Sequence, residues 1–152
     1  MKIKGSWGEF DAPYLRGAFI CHKLNLMRYI DLLIDTGASS TTILDNDALR
    51  LGIDYNKIEK LAEGTMGIGG SVDTYVIPDV MIAFRTMEGI HREKFGNVFV
   101  VRHMPRNREE EERIKRIPSL LGRDFLNKYS LFLNRKDKIV TISDKSGAAL
   151  RK

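Results

Sequence analysis

Short apolar runs separated by polar turns recur along the chain, and most are too short and too rich in β-branched residues to be helices. Tyr14–Cys21 and Met27–Ile34 read as strands, with His22-Lys23-Leu24-Asn25 as the turn between them. Thr41-Thr42-Ile43 is a further short strand. Val72–Phe84 reads as one long strand in which Val80, Ile82 and Phe84 share a face and Met81 and Ala83 share the other. Pro78 lies within it, and without an N–H to donate it implies an edge or a bulge. Phe95–Val101 is apolar at nearly every position and reads as a buried strand. Leu131–Leu133 and Ile139–Ile142 flank a polar connection and read as a hairpin.

Helical signals are few. Asp45 can cap a short helix running through Ala48, Leu49 and Leu51, with Gly52 as its stop. Asn107–Arg116 carries the pairs Glu109/Arg113, Glu111/Lys115 and Glu112/Arg116, each with the acid first, the favourable order on a helix. Asn107 with Glu110 three residues on resembles a capping box, and Pro118 ends the segment. Its charges read as a solvated face of an exposed helical insertion. Phe125–Tyr129 is another short helix candidate. The whole is mainly β, a small closed barrel with one or two short helices. Residues 1–152 form a single domain, with a core over about 14–143 and a polar tail over 144–152.

Composition narrows the function classes. The 43% hydrophobic content suits one globular core. A net charge of +5 arises from 25 basic and 20 acidic residues scattered along the sequence, so a solvated surface is expected and nucleic acid is not. Cys21 is the only cysteine, which excludes a disulfide within the chain and favours a small buried hydrophobe. Met1–Trp7 lacks the apolar centre of a signal peptide, and no segment approaches the roughly 20 apolar residues of a membrane helix. A cytoplasmic protein without a membrane partner is expected. His22, His91 and His103 show no metal-binding spacing, so neither metal nor cofactor is expected.

The candidate chemistry lies in Ile34-Asp35-Thr36-Gly37-Ala38-Ser39-Ser40, which puts one carboxylate at the end of an apolar strand, immediately before a turn of small residues. Burying such an acid is costly without a purpose. Alone, the triplet is an ordinary turn signal. Met66-Gly67-Ile68-Gly69-Gly70 lies between strand-like flanks and reads as a glycine-rich hairpin. A phosphate-binding loop would need a helix after it, and Val72–Ile77 is strand-like instead. The third segment is Ser119-Leu120-Leu121-Gly122-Arg123-Asp124.

In this order the three segments resemble the retropepsin-like aspartic proteases, over Leu32 to Tyr129. The resemblance implies an acid-protease barrel with a flap hairpin, and an endopeptidase that activates water between two carboxylates. Only one Asp-Thr-Gly is present, so it implies a homodimer with Asp35 contributed by each chain. Thr36 and Gly37 would support the dimer beneath the dyad. Substrate polypeptide would meet Gly37, Ala38, the flap residues Met66, Gly67, Ile68, Gly69 and Gly70, and Leu121. Leu120, Leu121 and Gly122 would form core and cleft wall, and Arg123 and Asp124 structural ion pairs. Ala38 replaces a hydroxyl residue of many pepsin-like relatives and cannot donate to the carboxylate, which implies a less acidic optimum. Ser39-Ser40 stands where viral members carry acids, and 102–116 is an added charged segment. The alternative is a catalytically inactive dimerisation or peptide-binding domain of the same fold. A third reading, association with nucleic acid through positive charge, would show as a steep salt dependence.

Overall fold

A computed structural model describes residues 1–67 and 70–144. Ile68 and Gly69 of the glycine-rich hairpin and the tail 145–152 lie outside the described residues. The strands are β1 (Lys2–Lys4), β2 (Ser6–Trp7), β3 (Pro13–Cys21), β4 (Leu26–Ile34), β5 (Thr42–Ile43), β6 (Glu59–Gly67), β7 (Gly70–Arg85), β8 (Ile90–His103), β9 (Ser119–Leu121), β10 (Ser130–Asn134) and β11 (Ile139–Ser143). Three short helices interrupt them: α1 (Asp45–Leu51), α2 (Arg108–Ile114) and α3 (Arg123–Leu126).

The larger sheet runs β2-β3-β4-β9-β5-β8-β7-β6, and β3 also pairs with β7. That second pairing closes β3, β4, β9, β5, β8 and β7 into a six-stranded barrel. Closure removes most of the open edges that an eight-stranded sheet would leave. Alternation along β3 sends Leu15, Phe19 and Cys21 inward, where each is fully buried. Ile30 and Leu32 of β4, Ile82 and Phe84 of β7, and Val98 and Val100 of β8 complete the same core. Gly17 takes an inward position opposite these side chains, because a Cβ there would come within 2.6 Å of Ile82 and 2.9 Å of Phe84. Phe84 and Phe125 pack against one another with ring centroids 5.2 Å apart, which ties α3 to the barrel.

A separate three-stranded sheet has the order β1-β11-β10. It sets β1 against β11 within one molecule, and the Met1 ammonium lies 3.0 Å from the Asp144 carboxylate. Pro78 does mark a bulge: the β7–β8 register shifts between Ile77 and Val80, and Asp79 adopts a positive φ of 52°. Cys21 donates its thiol to the Pro78 carbonyl across 3.4 Å. Among the described residues, no helix is long and apolar enough to cross a membrane.

Several local expectations need correcting. Asp45 is the first helical residue of α1 rather than its cap, which is Leu44; the Asp45 carboxylate instead accepts from the His103 backbone and ring. α3 begins at Arg123, two residues before the expected Phe125, because Gly122 is its cap. β8 starts at Ile90 rather than Phe95, its first half being too polar to register as apolar. In α2, Asn107 caps as expected, accepting from Glu110 at 2.8 Å. Of the three expected acid-first pairs in α2, Glu111–Lys115 is present at 3.7 Å. Glu112 turns to Lys115 instead, and Glu110 pairs with Arg106 outside the expected set.

Candidate active site

β4 delivers Asp35 to the end of a barrel strand, and β9 holds it there. β9 runs parallel to β4 with Ile34 opposite Leu121, and antiparallel to β5 with Thr42 opposite Leu120. It therefore lies between two strands that the Asp35 turn itself connects. The Asp35 amide donates to the Leu121 carbonyl at 3.1 Å. The turn closes when the Ala38 amide donates to the Asp35 carbonyl at 3.2 Å, and the Gly37 amide reaches the Asp35 Oδ1 at 2.9 Å. A side chain oxygen bonded two residues on is the geometry that makes Asp a turn former.

Beneath the turn the polar groups are satisfied by buried partners. Thr41 is fully buried; its hydroxyl donates to Asp124 Oδ1 at 2.7 Å and its amide to Oδ2 at 2.9 Å. The Gly122 amide donates back to the Thr41 hydroxyl at 3.1 Å. Gly122 is required here, since a Cβ would lie 2.5 Å from the Ser40 carbonyl carbon. Ser119, also fully buried, donates to Asp47 at 2.6 Å and accepts from the Leu44 amide at 2.9 Å. Two hydroxyl–carboxylate pairs thus lock β9 and α3 to the segment that follows Asp35.

Arg123 and Asp124 do not form the expected ion pairs among the described residues. Asp124 serves Thr41, and Arg123 Nη1 donates to the carbonyls of Thr36 at 3.1 Å and Gly37 at 3.0 Å. The guanidinium thus takes main-chain oxygens of the Asp35 turn. Thr36 and Gly37 are exposed in the single chain, and Asp35 and Ala38 are half-buried. Leu121 is 0% exposed, so its side chain packs in the core rather than facing substrate as expected; its backbone carbonyl is what touches the Asp35 turn.

The glycine-rich segment forms the end of the β6–β7 hairpin, with Met66 opposite Ser71 and Gly67 opposite Gly70. Ile68 and Gly69 are not described. The hairpin is braced where the Met104 amide donates to the Ser71 carbonyl.

Sequence reasoning missed two polar clusters. His103, 5% exposed, pairs with Asp45 at 2.6 Å beside a cavity of about 750 Å³ whose lining does not include Asp35. Glu93 accepts from Lys128 at 2.7 Å and Tyr129 at 2.6 Å, with His91 Nε2 2.7 Å away. Burial pushes the Glu93 carboxyl up, but hydrogen bonds from Lys128, Tyr129 and His91 outweigh it and hold the group below its usual range. Burial, then Glu93, push the Tyr129 phenol well above its ordinary value. The alternation of Glu93 with exposed Arg92 and Lys94 was the available signal, hidden by three consecutive charges.

No protein-family model matches the sequence, and no curated protein matches it. Solved structures do. A retropepsin-like aspartic protease from Rickettsia conorii is similar with a TM-score of 0.51 at 14% identity, over 93% of this chain and 89% of that one. The retroviral protease-like domain of Ddi1 from Leishmania major is similar with a TM-score of 0.51 at 14% identity, over 87% and 90%. The chain has the retropepsin-like fold.

Proposed function

We propose that the chain is an aspartic endopeptidase whose site is completed by a second copy of itself. The observation that carries this reading is the Asp35 turn: a half-buried carboxylate at a strand end, locked from below by β9 and flanked by exposed Thr36 and Gly37. A turn braced so thoroughly, yet left open on its outer side, suits a surface that meets its own image across a two-fold axis. The outer edge of β10 supports a second copy as well. It has no strand partner among the described residues and exposes Phe132 and Leu133.

In such a dimer the two Asp35 carboxylates lie about 3 Å apart and share one proton, since like charges that close cannot both persist. The ionised member takes a proton from a water whose oxygen attacks the scissile carbonyl carbon. The protonated member hydrogen-bonds the carbonyl oxygen as it gains charge. Transfer of a proton to the amide nitrogen then lets the C–N bond break. Thr36 links the two turns, and Gly37 offers substrate the lone pair that Arg123 leaves open. The β6–β7 hairpin acts as a flap, and peptide lies extended beneath it, held by main-chain hydrogen bonds.

The test is cleavage of an unstructured polypeptide by wild type and Asp35→Asn, with a hydroxyl-bearing transition-state mimic as inhibitor. We expect the substitution to lower the rate about 10²–10⁴-fold with the thermal midpoint unchanged. Cleavage that survives the substitution places the activity elsewhere. Inhibitor binding without cleavage by the wild type would make this a peptide-binding domain.

A further inference from the structure

Basic residues that lie scattered in the sequence are gathered by the sheet register. Along β3, β4, β7 and β8 the side chains opposite buried Phe19, Ile82 and Phe84 point outward. In one row Ala18 lies between Tyr29 and Ala83, and Ala83 faces Arg92. On one side of that row Met81 faces Lys94; on the other, Arg16 faces Asp31 and Arg85 faces Ile90. Arg16, Arg85, Arg92 and Lys94 are all exposed. Asp31 is the one acid in these rows, and Arg16 Nε already lies 3.3 Å from it.

At the centre is a recess of about 530 Å³. Ala18 and Ala83 form its floor, Tyr29 and Ile90 its apolar walls, and Lys4, Arg16 and Arg85 its charged rim. Tyr29 is 56% exposed and Ile90 60%, large apolar surfaces set among cations. No carboxylate lines the recess among the described residues.

We propose that this face binds single-stranded nucleic acid. Guanidinium groups match phosphate oxygens in fork geometry, and Arg85 and Arg92 offer two on adjoining strands, with Arg16 beside them on its Asp31 partner. The recess takes an unstacked base against the Tyr29 ring, which a paired duplex could not supply. An anionic lipid surface would answer the cations but offers no planar group to enter the recess against the Tyr29 ring. An acidic peptide satisfies the charges and leaves the flat apolar recess unused. The inference rests on the register of the barrel and holds whether or not Asp35 is catalytic.

The experiment is fluorescence anisotropy of the full chain with a labelled oligouridylate of about 12 nucleotides, within the usual range of single-strand sites, over a series of salt concentrations. The logarithm of affinity should fall linearly with the logarithm of salt. Arg85→Ala with Arg92→Ala should weaken binding and reduce that slope by about 1.4, at roughly 0.7 for each phosphate no longer neutralised. Tyr29→Ala should weaken binding about tenfold, the value of one stacked base, without changing the slope. Asp35→Asn should bind as wild type does, and the surface variants should melt as wild type does. The proposal is overturned by absence of binding at low salt or by indifference to the arginine pair. It is equally overturned by preference for phosphatidylserine vesicles, or by polyglutamate competing as well as the unlabelled oligonucleotide.

Discussion

The two ends of α3 do different work with similar chemistry. At its start, Gly122, Arg123 and Asp124 grip the Asp35 turn through hydroxyl, amide and carbonyl partners. Just past its end, Lys128 and Tyr129 close on the Glu93 carboxylate of β8. The first cluster sets the shape of a turn: Asp124 accepts from Thr41 Oγ1, Thr41 N and the Phe125 amide, donors without formal charge. The second neutralises a charge, since Glu93 is buried and must be held by a cation and a phenol. One end fixes geometry and the other fixes a charge, so damage at each should read out differently.

The largest effect belongs to Gly122→Ala. Its Cβ would meet backbone atoms of Ser40 that cannot swing away, so we expect about 3 kcal/mol of destabilisation and loss of cleavage together, measured by urea unfolding and peptide assay. Asp124→Ala should follow at about 2 kcal/mol, the cost of leaving the buried Thr41 donors unpaired. Its cleavage rate should fall further than its folded fraction. Glu93→Gln separates the ends: we expect it to cost stability while the folded protein cleaves at the wild-type rate. If both substitutions lower the rate per folded molecule equally, the division between geometry and charge fails.

Titration sharpens the same comparison. The folded Glu93 carboxyl sits below its usual range, so its contribution to stability is present above the ordinary carboxylate pKa and is lost as pH falls through the lowered one. The difference in unfolding free energy between wild type and Glu93→Gln should therefore shrink as the pH is lowered from 7 through the carboxylate range. Parallel curves would contradict the assignment. The smallest effect expected is that of Arg123→Ala. Its side chain is exposed, so stability should change by less than about 1 kcal/mol. Cleavage should nonetheless fall about tenfold, the scale of one lost hydrogen bond to the site.

Much of this was legible in the sequence because it follows from alternation. The β3–β4 hairpin, the long β7 strand and the Pro78 bulge all come from period-two patterning and one missing N–H. The place of Asp35 at a strand end was legible because it directly follows the apolar run Leu32-Leu33-Ile34. What was not legible depends on long-range register. Nothing local shows that the Leu121 side chain is wholly core and turned from substrate, because that is decided by β4 and β5 closing on either side of β9. β1 is a three-residue strand whose partner, β11, lies at the other end of the chain, and so gives no local pattern. Arg123 was expected to seek a carboxylate; the fold instead brings it to the Thr36 and Gly37 carbonyls, 87 and 86 residues away in sequence.

The claim on which the function depends is that each active site takes one Asp35 from each of two chains, and mixing tests it most directly. Wild type is combined with increasing amounts of Asp35→Asn at constant total protein, allowed to exchange subunits, and assayed for cleavage. A shared site gives activity that follows the square of the wild-type fraction, about a quarter at an equal mixture. Activity that falls in proportion to the wild-type fraction would mean that each chain works alone.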